Sequence, residues 1–417
     1  MTLDKGWLWG AGGAVTAAAG WIIWRNSSFP RYFSEASRKI LVSEPSLGDL
    51  EEKYLLQAYR STFISGGAGN FKGRLEKEFA AMCGCEYGVA VANGTLAINL
   101  ALHAIGMKRF EGQEVIVPSM TYVATAAAVV DAGGVPVFAD CDEYGLIDPA
   151  AIAAAITPKT CAIIAVHLYG HVADMDPINA IAKIHDIAVI EDAAEAHGAT
   201  YKNRPVGSLG DVATFSFYAN KVMTTGEGGI IVTNSQDLHK RMVYLRGHAM
   251  SPERRFWHTE VGSNYRLSNL LCAVGVAQLE RFPELFEGRR RVIEAYRRNL
   301  HGFKGVTINP HRDFCSPAPW LACVWLPEGS STFLRDTICN DLEKLGIETR
   351  PFFYPVHTMP PYTSYKFHGT STQASSHLLT NTVAARGFNI PTSVDLSDAE
   401  VHFISDSVRQ VLDRHCT

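Results

Sequence analysis

From about residue 41 onward, hydrophobic positions come as short uninterrupted runs rather than in strict alternation. The runs 89–92, 114–118, 135–140, 161–167, 187–192, 212–217 and 229–233 are each bounded by turn residues. A run that is apolar at every position predicts a strand buried on both faces, the habit of parallel sheets covered by helices. Between several of these runs lie segments of helical length, 95–105, 122–132, 149–156 and 177–185. Two carry start signals, Asp148-Pro149 and Asp176-Pro177. Asp as N-cap accepts a bond from one of the first free amides, and Pro suits the first helical position because no bond is lost there. This alternation predicts an α/β fold with a mainly parallel sheet. A charged helical stretch from 268 to about 300 then leads into a region of proline-rich turns (Pro317, Pro319, Pro351, Pro355, Pro360, Pro361) and further αβ pattern. The expected division is an apolar N-terminal segment (1–40), a large domain (41–285) and a smaller C-terminal αβ domain (286–417).

The first forty residues do not share this pattern. Residues 6–24 carry no charge, are rich in Gly and Ala, and hold Trp7, Trp9, Trp21 and Trp24 near their ends. As a helix they would span roughly 28 Å, close to a hydrocarbon core of about 30 Å, with Trp where an interfacial belt puts it. Arg25, Arg31 and Arg38, with no acid between Asp4 and Glu35, also suit a cleaved targeting peptide. The weakly apolar centre also suits a loosely packed tail. As an anchor, Arg25, Arg31, Arg38 and Lys39 would outweigh Lys5 and leave the large C-terminal part in the cytoplasm.

Composition narrows the class. The 417 residues suggest two to three domains, and 47% hydrophobic with 19% charged residues exclude a disordered or fibrous chain. The net charge of -4 leaves no positive excess to hold a nucleic-acid backbone. The nine cysteines are scattered without a CxxC pair, which predicts neither a disulfide framework nor a metal site and suits a reducing compartment.

In open α/β sheets, ligands sit beyond the carboxyl ends of the strands. The run 89–92 is followed by Asn93-Gly94-Thr95 opening a helix. Its free amides and the Thr95 hydroxyl suit a phosphate, though the same residues make an ordinary turn and cap. The run 187–192 ends in Glu191-Asp192, with Glu195 and His197 close behind. Acids at the end of an apolar strand need partners. A protonated ring nitrogen of a pyridoxal cofactor would be one, and a solvated strand end would be another solution. The run 212–217 contains Ser216 and is followed by Lys221 and the turn Thr224-Thr225-Gly226-Glu227-Gly228-Gly229. A lone loop lysine is usually a surface charge, but one at a strand end can form a Schiff base with a carbonyl. Phosphate donors, an acid and a lysine at the strand ends of one sheet together describe a site for pyridoxal 5'-phosphate.

Further strings make the pattern recognisable: "VSEPSLG" at Val42, "VPSMTYVATA" at Val117, "VHLYGHVADMD" at Val166, "IEDAAEAHGA" at Ile190, "FSFYANKVMTTGEGG" at Phe215, "GSNYRLSNLLCAVGVAQLER" at Gly262 and "RPFFYPVHTMPPY" at Arg350. From about 42 to 408 the chain resembles the DegT/DnrJ/EryC1/StrS family of pyridoxal-phosphate-dependent aminotransferases. These enzymes act on nucleotide-linked 4-keto-6-deoxy sugars. The resemblance implies the aspartate-aminotransferase-type fold and L-glutamate as amino donor. It also implies roles residue by residue. Lys221 matches the lysine that holds the cofactor covalently and later moves protons, and Asp192 the acid paired with the pyridine nitrogen. Glu195 falls where the family places a side chain near the phenolic oxygen, and Tyr122 where an aromatic ring stacks on the pyridine. Gly94, Thr95 and Ser216 match the phosphate cradle. Asn264 matches an asparagine that reaches the phosphate of a neighbouring subunit, which implies a homodimer with shared active sites. His167, His171 and His197 read either as substrate contacts or, more readily, as satisfied loop histidines, and Arg266 and His357 are weaker candidates for meeting the sugar nucleotide. Relatives that act as sugar 3-dehydratases carry a histidine at the lysine position, and Lys221 sets this chain apart from them. A membrane-tethered, non-catalytic relative is the rival from another class, and the intact set Lys221, Asp192, Ser216 and Asn264 argues against it. The nucleotide, whether GDP, dTDP or UDP, is left open by these motifs.

Overall fold

In the computed structural model, residues 39–67, 69–369 and 379–416 are described. The uncharged stretch 6–24 lies outside them, and among the described residues no helix is long and apolar enough to cross a membrane. The first five strands are β1 (Tyr87–Val91), β2 (Glu114–Pro118), β3 (Val135–Ala139), β4 (Thr160–Val166) and β5 (Ala188–Asp192). A short hairpin of β6 (Thr200–Tyr201) and β7 (Arg204–Pro205) precedes β8 (Val212–Ser216) and β9 (Gly229–Thr233). The C-terminal strands are β10 (Thr307–Ile308), β11 (Cys315–Ser316), β12 (Ala322–Trp325), β13 (Arg350–Pro351), β14 (Phe367–His368) and β15 (Gly387–Ile390).

The large sheet has the order β1-β9-β8-β5-β4-β2-β3-β14. It is parallel except at β9, which runs antiparallel to both β1 and β8. Neighbouring residues of one strand bury into opposite apolar layers. Val115 and Val117 belong to one cluster and Ile116 to the other, as do Ile164 and Val166 against Ile163 and Ala165. This two-sided burial is why the strands read as continuous apolar runs. The register sets Asp192 beside Thr214, and Ser216 and Val91 both opposite Gly229, so the ends of β1, β5 and β8 open at one level. A Cβ on Gly229 would stand 2.8 Å from the Asn93 backbone and 2.9 Å from the Phe215 carbonyl. Only glycine lets these strand ends close together.

Two sequence expectations are corrected. The stretch from 268 to 300 is not one helix but two, Asn269–Glu280 and Phe282–Asn299, separated at Arg281. Pro283 starts the second, because proline has no N–H to continue the ladder of the first. Asp176 is not an N-cap. Its helix starts a residue earlier, Met175–His185, and the Asp176 carboxylate instead meets Lys202 (2.7 Å) and Arg204. Asp148 does cap its helix, accepting from the Ala150 amide at 2.9 Å. The C-terminal strands make an antiparallel sheet, β10-β12-β15-β13. The helices Phe282–Asn299, Thr332–Lys344 and Asp398–His415 pack on it around Val292, Ile338, Phe388, Ile404 and Val408. β14 returns to the large sheet beside β3. All nine cysteines are unpaired thiols.

Candidate active site

The two acids that end β5 are neighbours on a strand, so they point to opposite faces. Glu191 turns away from the strand-end opening. It accepts from the amides of Gly207 (3.0 Å), Leu209 (2.8 Å) and Gly210 (2.8 Å) and from His167 Nε2 (3.0 Å). His167 Nδ1 accepts from the Ala173 amide at 3.2 Å, which fixes the proton on Nε2. Both residues therefore brace the 207–210 turn. Asp192 turns into the opening, where its Oδ2 accepts from the Thr125 hydroxyl at 2.8 Å and its Oδ1 from the Ala194 amide at 3.3 Å. Burial pushes its pKa up against these two bonds. The carboxylate thus has room for a cationic donor that would hold it ionised.

Lys221 follows β8 on a tight turn and reaches back over the sheet. Its Nζ lies 3.6 Å from Glu195 Oε1 and 3.9 Å from the centre of the Trp320 ring. Burial lowers the amine pKa, opposed by Glu195 and Asp192. Glu195 is pushed up to about 7 by burial, with Lys221 pulling the other way. Burial therefore favours the neutral form of both groups, and each carries its charge more readily when the other is charged. Glu195 is held by strain elsewhere. Tyr169, a buried non-glycine residue, has φ 51 and ψ 29, a left-handed conformation that costs about 1–2 kcal/mol. That conformation aims the Tyr169 amide at Glu195 Oε2, 2.7 Å away. The Tyr169 ring stacks on Phe352, Phe353 and Trp320, and its hydroxyl accepts from the Phe353 amide at 2.9 Å.

The third part is the start of the helix Gly94–Ala104. Asn93 caps it by accepting from the Leu96 amide at 2.9 Å. This leaves the first amides, of Gly94 and Thr95, without an intrahelical acceptor. A Cβ on Gly94 would stand 3.0 Å from the Ser216 Cβ and 3.3 Å from its hydroxyl, so glycine brings amide and hydroxyl together. Free amides, a helix N-terminus and two hydroxyls form an anion cradle.

These groups line one cavity of about 520 Å³, together with Tyr122 at its rim. The Tyr122 ring is more than half exposed and lies 5.5 Å from that of Phe353. Of the expected site residues, Gly94, Thr95, Tyr122, Asp192, Glu195, Ser216 and Lys221 all meet here. The structure adds Thr125, Asn220, Trp320 and Arg350 to the walls, which the sequence reading did not single out. Arg350 lay inside one of the recognised strings, and a cation in that string was the available signal. Asn220 Oδ1 is buried without a hydrogen-bond partner. An orphaned acceptor, an anion cradle, a half-satisfied acid and a buried amine in one cavity are the complement of pyridoxal phosphate: its phosphate, its ring nitrogen and its aldehyde. The residues present fit the group.

The remaining candidates lie elsewhere. Asn264 is exposed, outside its own chain's cavity, and its Oδ1 accepts only from the Arg266 amide at 3.3 Å among the described bonds. Arg266 lines a separate surface pocket with His248, Phe256 and His258. His197 is fully buried between Phe79, Phe215 and Phe217, and burial takes its pKa down to about 3. His171 is buried beside Tyr144 and accepts from the Arg312 amide at 3.2 Å. His357 binds the Ser119 hydroxyl at 2.6 Å. None of these three histidines lines the cavity.

Comparison with known proteins agrees with the geometry. The sequence profile of the DegT/DnrJ/EryC1/StrS aminotransferase family matches residues 45–409. The chain belongs to that family, whose cofactor is pyridoxal phosphate. It is 44% identical to the GDP-perosamine synthase of Caulobacter vibrioides over 382 residues, covering 90% of this chain and 98% of that one. It is 38% identical to the GDP-perosamine synthase of Escherichia coli O157:H7, covering 89% and 98%. Among solved structures, DesI in the presence of its TDP-sugar product superposes with a TM-score of 0.82 at 32% identity, covering 90% of this chain and 94% of that one. A putative sugar aminotransferase of Streptococcus pneumoniae in its PLP form gives a TM-score of 0.83 at 25% identity, covering 91% and 100%.

Proposed function

We propose that this chain transfers the amino group of L-glutamate to C4 of a GDP-linked 4-keto-6-deoxy sugar, giving a GDP-perosamine-type product. The observation that carries this reading is the 44% identity to a GDP-perosamine synthase across 98% of that protein's length, with the catalytic cavity intact. In this reading Lys221 and Asp192 are the catalytic residues, and Gly94, Thr95, Tyr122, Glu195, Ser216 and Asn264 complete cofactor binding. Asn264 acts from the second subunit of a homodimer, which its exposure outside its own cavity supports. The membrane contact of residues 6–24 rests on their sequence pattern.

When bound, pyridoxal phosphate supplies the carbonyl carbon that exchanges the amino group and a ring that takes up electron density. The amides of Gly94 and Thr95 and the Ser216 hydroxyl hold its phosphate. Lys221 Nζ, kept toward its neutral form by burial, takes the α-proton of the amino donor in the first half-reaction and returns a proton to C4 of the sugar in the second. Glu195 Oε1, 3.6 Å away, balances the charge when Lys221 carries the extra proton. Arg350 is the guanidinium on the cavity wall, placed to meet an anionic group of either substrate. The layer of Trp320, Tyr169 and Phe353 keeps water from the amine.

The reading is tested by incubating purified protein, pyridoxal phosphate and L-glutamate with GDP-, dTDP- and UDP-linked 4-keto-6-deoxy sugars, and measuring amino-sugar formation by mass spectrometry. The GDP sugar is expected to have a kcat/KM larger by about 100-fold. Preference for the dTDP or UDP sugar would reassign the nucleotide, and no turnover of any of them would remove the proposed substrate class.

A pH effect follows from the Lys221–Glu195 pair. The Glu195 carboxylate raises the Lys221 pKa against burial. In Glu195→Gln that anion is gone, so the lysine loses its proton at lower pH. The acid limb of the kcat profile is expected to move down by about one pH unit. A limb that stays in place, or moves up, contradicts the pairing.

A further inference from the structure

Arg289 stands in the helix Phe282–Asn299 and is 1% exposed. Among the described residues it has no carboxylate in ion-pair range, and its donors go to neutral acceptors. Nη1 donates to the carbonyls of Trp320 (3.0 Å) and Thr392 (3.2 Å), and Nη2 to the Ser43 hydroxyl (3.0 Å) and the Lys221 carbonyl (3.3 Å). Nε is buried without an acceptor. Burial brings the guanidinium pKa down to about 10. Asp395 opposes this only from beyond ion-pair range, and a buried charge with no directly paired anion is expensive.

The partners show what this cation does. Ser43 Oγ and Trp320 Nε1 both donate to the Asn220 carbonyl, each at 2.9 Å. The carbonyls of Asn220 and Lys221, one on each side of the Lys221 α-carbon, are thus held by Ser43, Trp320 and Arg289. The indole that Arg289 holds by its carbonyl is the one that lies 3.9 Å from Lys221 Nζ. One rigid fork therefore fixes both the root of the lysine and the surface its amine rests on.

We propose that Arg289 is a positioning residue for Lys221, tying the Lys221 and Trp320 carbonyls together so that the amine is held between the indole face and Glu195. This rests on the reading of Lys221 as the reactive amine. The test uses full-length protein stripped of pyridoxal phosphate and compares Arg289→Met, Arg289→Lys and Trp320→Phe with the unsubstituted chain. Growth of the visible band on adding pyridoxal phosphate gives the rate of cofactor capture, and amino transfer gives kcat and KM. In Arg289→Met, capture and kcat are expected to fall about 100-fold per folded molecule, with KM changed by less than about threefold. Arg289→Lys should recover part of the capture rate. Trp320→Phe, which keeps a ring but loses the bond to Asn220, should slow capture as well. A structural role alone would lower thermal stability and leave these rates per folded molecule unmoved, which would overturn the proposal. If Arg289→Met does not fold, a folded Arg289→Lys with capture and kcat within about twofold of the unsubstituted chain would overturn it too. Failure of the reading beneath it looks different: the unsubstituted chain itself would then show no band that depends on Lys221.

Discussion

Lys221→Ala is expected to lower kcat for amino transfer by about four orders of magnitude and to remove the visible band that pyridoxal phosphate acquires on binding. Lys221 carries the only side-chain amine among the residues lining the cavity. Arg350, the other basic side chain there, presents a guanidinium and not an amine that could form a Schiff base. Asp192 is tied by Thr125 and the Ala194 amide, and Glu195 is anchored by the strained Tyr169 turn, so neither can move to where Nζ stands. No neighbour can therefore stand in as the mobile proton carrier. The variant should still fold, because the recorded contacts of Nζ are long, 3.6 Å to Glu195 and 3.9 Å to the indole. The backbone ties at Asn220 and Lys221 do not involve the side chain. The measurement is absorbance before and after L-glutamate, in parallel with product formation. In the unsubstituted chain the band should bleach with glutamate. A variant that keeps the band and more than about a tenth of the rate would show that the amine acts from somewhere else.

How far this site could be read in advance depended on the range of each interaction. Asp192 and Ser216 end their strands and Gly94, Thr95 and Lys221 follow theirs within five residues, and apolar runs bounded by turn residues mark such ends in the chain itself. Tyr122 and Glu195 lie just as near strand ends, but their roles were reached only through the family strings. Trp320 and Arg350 come to the same cavity from positions about 100 or more residues later. Hydrophobic periodicity carries no information about contacts of that range. Tyr169 escaped for another reason: its role lies in its backbone, and only coordinates show a non-glycine φ of 51. His167 could be read from the sequence either as a substrate contact or as a satisfied loop histidine. Its ring is spent on Glu191 and the Ala173 amide, a partnership set by which face of the strand each side chain takes. The break at Arg281 was legible in principle, since Pro283 stood inside the helical stretch. The charged pattern on either side of it concealed the stop.

Asp192→Asn should be nearly silent in the fold and severe in catalysis, and that contrast identifies what the acid is for. The amide keeps the shape and its oxygen can still accept from the Thr125 hydroxyl, at the loss of the long 3.3 Å bond from the Ala194 amide. The mutant also sheds a buried negative charge whose pKa burial already pushes up. The two effects oppose each other, so stability without cofactor should change little. The phosphate cradle of Gly94, Thr95 and Ser216 is untouched, so cofactor affinity should fall only modestly. A neutral amide, however, cannot keep a proton on a basic ring nitrogen, and without that proton the ring accepts electron density poorly. The expected loss in kcat is about 100-fold or more, the scale of removing one preorganised electrostatic contact from a transition state. It should appear with L-glutamate alone, as slow bleaching of the visible band, because ring electronics govern both half-reactions. Equal loss in affinity and rate would instead make Asp192 a binding residue. An unchanged bleaching rate would assign the proton-holding role to another group on the cavity wall. Among the described acids, Glu195 is the one to examine next, and its distance of 3.6 Å from Lys221 already commits it to the lysine.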